Sequence, residues 1–311
     1  MNQSTEEKNC MTEPYVVIVI LTYNGWANTA DCLNSIARAS YSHYHIIIID
    51  NGSTDETLGA LRTHYPDVTV IENHANLGYS QGNNIGVQSA MTLGADYVLL
   101  FNPDVVIAPD SITLLVQAAE KNPDAAFLGP TIYHFDEPNV IQSAGGRVHG
   151  WQFGHRAMNV PDIGQFTVAE PVDWVTGCAI LARCRAIEHI GLLDLDFFLY
   201  SEEVDWCLRA REFGYQIFLV PQSHVWHKGV QRNYSPSPLV TYYSARNELL
   251  LLIKHHAGMM PLLTAILRHL RTLVSYTVRP RWRSRRQHRD ALAIALLNFA
   301  QGRFGPAPIN L

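Results

Sequence analysis

Three times within the first 105 residues an apolar run stops abruptly at a corner of Asn and Asp. Tyr15–Leu21 runs into Thr22-Tyr23-Asn24-Gly25, and Ile46–Ile49 into Asp50-Asn51-Gly52-Ser53-Thr54-Asp55. Tyr97–Phe101 runs into Asn102-Pro103-Asp104, and a fourth run, Val68–Ile71, leads to Asn73-His74-Ala75-Asn76-Leu77-Gly78. Short apolar runs bounded by turn residues fit strands buried on both faces. Between them lie helical stretches: Ala30, Leu33, Ile36 and Ala37 share a face, and Tyr79–Thr92 is rich in small and amide residues. Strands alternating with helices imply βαβ units, an α/β fold and a mostly parallel central sheet. The carboxyl ends of such strands share one edge, where ligands bind. Asn24, Asp50 and Asp104 are therefore expected to converge on one crevice. Asp50 would accept a hydrogen bond from a base N–H, and backbone near Gly52 or Gly78 would approach phosphate. Turn formation alone explains one such corner; three in register argue for a site.

Neither a Gly-x-x-x-x-Gly-Lys-Ser/Thr loop nor a Gly-x-Gly-x-x-Gly follows the first strand, so both standard phosphate cradles are missing. A cation held by Asp104 would have to supply that positive charge. Farther on, residues 109–120 read as a helix capped by Asp110 or Ser111, and Ala125–Leu128 as a short strand. From Thr131 to Asp173 glycines at 145, 146, 150, 154 and 164 break the pattern into hairpins or loops, where Trp151 and His155 are candidates to line a pocket. After an expected strand at Val175–Leu181 comes a second chemical block, Phe197–Arg209. Ser201 would cap a helix whose first turn carries Glu202, Glu203 and Asp205, acids that suit the helix dipole. Asp205 and Arg209 have the i,i+4 order of an ion pair. Capping and that pair account for Asp205, but not for Glu203 following an aromatic Phe-Phe-Leu-Tyr segment. An expected strand, Gln216–Val220, leads to His224-Val225-Trp226-His227, and two histidines three apart can flank a metal.

The 311 residues are 47% hydrophobic and 16% charged, as in ordinary globular chains. Five cysteines, odd in number and without a Cys-x-x-Cys pair, argue against a disulfide framework or a cysteine zinc site and for a reducing, cytoplasmic compartment. Residues 1–13 read as a flexible tail, and no apolar run approaches the roughly 20 residues that cross a bilayer. The net charge of −5 hides an asymmetry: residues 1–240 hold 12 Lys+Arg against 26 Asp+Glu, residues 241–311 hold 11 against 2. That last segment reads as a helix over 239–257, an amphipathic helix over Leu262–Val278, and an arginine-rich run after Pro280. A basic amphipathic segment suits an anionic membrane surface. The expected placement is peripheral, on the cytoplasmic face of the inner membrane. The acidic body would repel nucleic acid, and a homo-oligomer is left open.

Taken together, the blocks resemble the inverting family 2 glycosyltransferases of the GT-A fold, especially their bacterial rhamnosyltransferase-like branch. The matching residues are ThrTyrAsn at 22–24, AspAsnGlySerThrAsp at 50–55, AsnLeuGly at 76–78, GlyAsnAsn at 82–84 and AsnProAsp at 102–104. They continue with ThrGlyCys at 176–178, PhePheLeuTyrSerGluGluValAsp at 197–205 and TrpHis at 226–227, in order over about residues 15–230. The resemblance implies a GT-A catalytic domain over 14–235, with a nucleotide-binding half to about 105 and an acceptor half beyond, then a helical basic extension over 236–311. It implies a nucleotide-diphosphate sugar as donor, rhamnose favoured, and a glycan or lipid-linked acceptor in cell-surface polysaccharide synthesis. It assigns the donor nucleotide to Thr22, Asn24, Asp50, Asn83 and Asn102, and a divalent metal to Asp104 and His227. Oxygen ligands suit Mg²⁺ or Mn²⁺, and an imidazole favours Mn²⁺. Glu203, one methylene longer than the family's Asp, takes the general-base position, with Asp205 or Glu202 as alternatives. Tyr242, Tyr243, Arg246 and Asn247 resemble a Tyr-Tyr-x-x-Arg-Asn element of the branch, in which Arg246 would contact phosphate. The competing readings are a sugar nucleotidyltransferase, which would want a basic glycine-rich loop after the first strand, and a catalytically inactive glycan- or nucleotide-binding module.

Overall fold

The computed structural model of the chain describes residues 13–229 and 235–308. The tail expected over 1–13 therefore lies, except for Glu13, outside the described residues. The alternating unit is β1 (Val16–Thr22), α1 (Trp26–Ile36), β2 (Tyr44–Asp50), α2 (Thr57–His64), β3 (Thr69–Glu72), α3 (Gly78–Thr92) and β4 (Tyr97–Phe101). Strands β4, β1, β2 and β3 lie side by side in that order, all parallel. Their register brings the corners together, with Thr22 level with Asp50 and Ile20 level with Phe101. With strands about 4.8 Å apart, Asp50 stands two strands, roughly 10 Å, from the end of β4. Helix α3 is rich in small residues because it lies hard against this sheet. A Cβ on Gly86 would fall 2.3 Å from a Val19 methyl, and one on Gly82 2.4 Å from Leu21.

Beyond β4 come β5 (Val105–Ile107), α4 (Ser111–Lys121) and β6 (Ala125–His134). Strand β6 runs ten buried residues, past the expected stop at Leu128. The glycine-broken stretch holds β7 (Val140–Ser143), β8 (Gly146–His149), β9 (Gln152–His155), β10 (Val160–Pro161) and β11 (Glu170–Val172). Of these, β8 and β9 form the hairpin that the glycines suggest. Strand β12 (Ala179–Arg183) begins later than the expected Val175 and is antiparallel to both β4 and β6. Then follow α5 (Cys184–Ile190), α6 (Glu202–Glu212) and β13 (Gln216–His227). Strand β13 does not stop at Val220. It bends through an irregularity between Val220 and His224, where Pro221 falls, and continues to His227. It pairs in parallel with β6 and antiparallel with β5, setting Val105 opposite His227.

The chain ends in α7 (Pro238–Lys254), α8 (Met259–Val278), a 3₁₀ turn at Pro280–Arg285 and α9 (Arg286–Ala300). Tyr242, Tyr243 and Ala245 of α7 pack on Ala291, Leu292 and Ala295 of α9. Among the described residues no helix is long and apolar enough to cross a membrane. Cys32, Cys178, Cys184 and Cys207 are buried free thiols.

The close approach of α3 gives a test. Val19 is β-branched and fully buried, so it has little room to move away. Gly86→Val should cost about 1–3 kcal/mol of stability through overpacking. Urea unfolding measures it, and an unchanged midpoint would show that the helix does not pack this closely.

Candidate active site

The chain leaves β4 through Asn102-Pro103-Asp104, and the next residue, Val105, pairs with His227. The Lys228 N–H donates to the Asp104 carbonyl at 2.9 Å, and Asp104 Oδ1 lies 3.3 Å from His227 Nε2. The other ring nitrogen, Nδ1, lies 3.0 Å from Gln142 Oε1. An acceptor there keeps the proton on Nδ1, which turns Nε2 towards Asp104. Burial pushes the Asp104 carboxyl up, but the His227 hydrogen bond and charge, with Lys228, outweigh it and hold the group below the usual carboxylate range. A Cβ on Gly229 would fall 2.2 Å from Asp104 Oδ2 and 3.2 Å from His227 Nε2, so glycine keeps the space beside both open. These residues fit a divalent cation. Among the described residues no group of three His, Cys, Asp or Glu surrounds such a position. A cation here would take its remaining ligands from outside these side chains.

A pocket of about 230 Å³ opens beside this pair, lined among others by Tyr79, Asn102, Gln142, Glu202, Glu203 and His227. Asn102 is fixed there by its N–H, which donates to the Cys178 carbonyl at 3.0 Å. Glu203 is partly exposed and Glu202 buried, and one carboxyl oxygen of each is buried without a hydrogen-bond partner. Burial raises the Glu203 carboxyl, while backbone amides at 203, 204, 177 and 201 pull it back. Glu202 is driven well above the usual range by burial and then by the charge on Glu203. Both carboxyls are thus held above the usual range, Glu202 the more strongly.

The segment that presents these acids is strained. Phe198, Tyr200 and Ser201 have φ of 58°, 69° and 74°, in the region that favours glycine. Ser201 stands at the start of α6, but its side chain makes no capping bond. The segment is held from two sides. On one, the Tyr79 N–H donates to the Phe198 carbonyl at 2.7 Å, and Gly78 is needed because a Cβ there would strike the Phe198 ring at 2.6 Å. Gly78 thus serves this contact rather than phosphate. On the other side stands Arg246, wholly buried. Its N–H groups go to Asn247 Oδ1, the Tyr242 hydroxyl and the carbonyls of Asp196, Phe197 and Gly305. Asn247 Nδ2 donates to the carbonyls of Phe197, Leu199 and Tyr200. The phosphate contact expected of Arg246 is overturned: its donors are spent and it has no exposed surface. Asp205 is overturned as an alternative base. It is fully buried and bound to Arg209 at 2.8 Å, Lys254 at 2.8 Å and His255 at 3.0 Å.

At the second strand end, Asp50 is 2% exposed. Its Oδ2 accepts the Ser53 N–H at 3.1 Å, and its Oδ1 is buried without a partner. A free acceptor oxygen at a strand end suits a base N–H. Asn24 braces the two corners: its N–H donates to Ser53 Oγ at 2.9 Å, and its Oδ1 accepts the Thr54 N–H at 2.8 Å. Ser53 and Thr54 are thereby used at the corner, and Asp55 Oδ1 accepts the Thr57 N–H at the start of α2. Two expected nucleotide contacts are corrected. The Thr22 side chain is fully buried with its hydroxyl on that of Thr29, and Asn83 is buried in α3 with its amide on the Tyr79 carbonyl. Gly52 admits the Ala75 backbone, 2.8 Å from where its Cβ would be, so chain packing explains it. His155 lines the pocket as expected, whereas Trp151 packs near Leu249 and Leu252. Gln142 and Tyr79 were not singled out by sequence. Gln142 lies where the periodicity is lost, and Tyr79, whose hydroxyl donates to the Gly177 carbonyl at 2.5 Å, reads as an ordinary helix residue.

A family model described as "Glycosyl transferase family 2" matches residues 17–191. The chain is 29% identical over 234 residues to an N-acetylglucosaminyl-diphospho-decaprenol L-rhamnosyltransferase of Mycobacterium tuberculosis, spanning 68% of this chain and 75% of the relative. It is 24% identical over 271 residues to the dTDP-rhamnosyl transferase RfbF of Shigella flexneri, spanning 85% and 87%. In structure it is similar to a mannosyltransferase from Pyrobaculum calidifontis solved with GDP-Man and Mn²⁺. There the TM-score is 0.60 at 16% identity, over 94% of this chain and 89% of the other. The likeness establishes the GT-A fold.

The brace on the acid-bearing segment can be tested. Asn247→Ala removes the side-chain amide that binds the carbonyls of Phe197, Leu199 and Tyr200, so stability should fall by about 1–3 kcal/mol. Unfolding by denaturant measures this, and a variant as stable as the parent would show that Asn247 does not hold the segment.

Proposed function

The chain belongs to glycosyl transferase family 2, and from that membership we propose that it moves a sugar, rhamnose favoured, from a nucleotide diphosphate to an acceptor hydroxyl with inversion. The acceptor is a glycan or lipid-linked precursor of a cell-surface polysaccharide. The rhamnosyltransferase names of the relatives support the sugar, and the diphospho-decaprenol in one of those names supports the acceptor class.

The observation that carries this reading is one pocket shared by Glu203, Asn102 and His227, with a Glu203 carboxyl oxygen left without a partner. In the reaction an acceptor oxygen attacks the anomeric carbon while the bond from that carbon to the diphosphate oxygen breaks, its electron pair leaving with the diphosphate. Glu203 takes the hydroxyl proton, and burial, by raising its carboxyl, makes it the stronger proton acceptor. Glu202 is the more deeply buried of the two acids, which leaves Glu203 the better placed for that role. Asp50 receives the base, with Asn24 fixing the corner around it, and Asn102 faces the donor. Asp104 and His227 would hold a divalent cation, Mn²⁺ or Mg²⁺, which neutralises charge on the departing diphosphate. Gln142 orients His227 for that contact.

A panel of nucleotide sugars incubated with Mn²⁺ or Mg²⁺ and assayed for released nucleotide tests the proposal. Glu203→Gln should lower transfer by about 10²–10⁴-fold with donor affinity nearly unchanged; persistent transfer would remove Glu203 from the base role. Asp104→Asn should abolish the difference that a chelator makes to donor binding by calorimetry. Donor binding without turnover on any acceptor would favour a binding module.

A further inference from the structure

Helix α8 is apolar on two opposite faces. On one, Ala265 is buried, and Leu262, Ile266 and Leu273 pack into the clusters made with α7 and α9. On the other, Met260, Leu263, Leu267, Leu270, Val274 and Val278 recur every three or four residues and are all exposed, Met260 by 73% and Val278 by 65%. That spacing makes one continuous stripe along the 20-residue helix. A long contiguous apolar stripe on a surface marks an interaction site.

Its edge is cationic. Arg268, Arg271, Arg279 and Arg281 line a cleft of about 590 Å³ whose walls include Val274 and Val278. Arg283, Arg286 and Arg289 line a second cleft by the same helix end. Among the described residues only Arg268 and Arg289 of these seven pair with a carboxylate, those of Glu248 and Asp290. The occupant must therefore be apolar and anionic at once. The same patch on a second copy would supply apolar cover but only further arginines. An anionic phospholipid surface supplies both.

We propose that α8 lies in the plane of an anionic phospholipid bilayer, its Met260–Val278 stripe in the acyl boundary and the flanking arginines on headgroup phosphates. The docked face adjoins the active pocket. Arg268 also lines a cleft of about 680 Å³ that includes His155, and His155 lines the pocket of Glu203. A lipid-borne acceptor would thus reach Glu203 along this face, a consequence that rests on the transfer reading; the docking itself does not.

The test is sedimentation of the full chain with vesicles of phosphatidylcholine, with or without phosphatidylglycerol. Binding should require the anionic lipid and weaken several-fold as salt rises, as screening demands. Leu267→Glu with Val274→Glu, and separately Arg279→Glu with Arg281→Glu, should each weaken binding at least about tenfold. Both pairs are exposed, so thermal unfolding should be unchanged, and nucleotide-sugar binding by calorimetry should be retained, which separates this outcome from failure of the donor site. Absent vesicle binding, or binding unaffected by Leu267→Glu with Val274→Glu, would overturn the proposal. So would a dimer that this variant splits while no vesicles are bound, since the stripe would then join two copies.

Discussion

The site depends on a three-residue antiparallel pairing between β5 and β13. Asp104 immediately precedes β5 and His227 ends β13, so the register that sets Val105 opposite His227 also sets carboxylate beside imidazole. The pairing needs β13 to run beyond the bend at Pro221, where its second half continues beside β6. Strand β7, on the other edge of β6, then delivers Gln142 to the far side of the same imidazole. One extension of the sheet thus assembles both candidate metal ligands and the group that orients one of them. Its rigidity is that of a ladder of backbone bonds, which suits a site that must hold charge in a fixed place.

A second constraint is the cost of presenting two acids at the start of α6. Three non-glycine residues in the left-handed region cost of order 1–3 kcal/mol each and persist only where surroundings over-determine them. Here the surroundings are the Tyr79 amide on one side and Arg246 with Asn247 on the other, together binding the carbonyls of residues 196–200. Helix α7, which carries the Tyr-Tyr-x-x-Arg-Asn element, is therefore part of what shapes the acid segment. The arginine that looked like a phosphate ligand contributes to the site indirectly, through backbone.

The parallel half of the sheet was legible because each strand is short, apolar and followed by a helix, so local pattern and global topology agree. The corners at Asn24, Asp50 and Asp104 were legible for the same reason: strand ends share an edge. What local pattern could not carry was long-range pairing. A proline within Gln216–His227 reads as a strand end, yet it sits at an irregularity that the ladder tolerates. Thr22 and Asn83 belong to matching motifs, but burial turns both side chains into packing contacts. The bracing role of Arg246 could not be read from sequence because its five acceptors come from three separate parts of the chain.

The two acids bear on how a glutamate can serve where the family resemblance leads one to expect the shorter aspartate. Two carboxyls that line one pocket each make the other harder to ionise. Burial is deeper at Glu202, and Glu202 also feels the charge of Glu203, so its carboxyl is pushed up the further. Glu203 is the partly exposed one of the two, while its unpartnered oxygen, like that of Glu202, is buried. Backbone amides at and near the helix start favour its charged form and offset part of what burial does. Of the two acids Glu203 is therefore the more accessible at the pocket, and it is the one standing where the resemblance expects an aspartate.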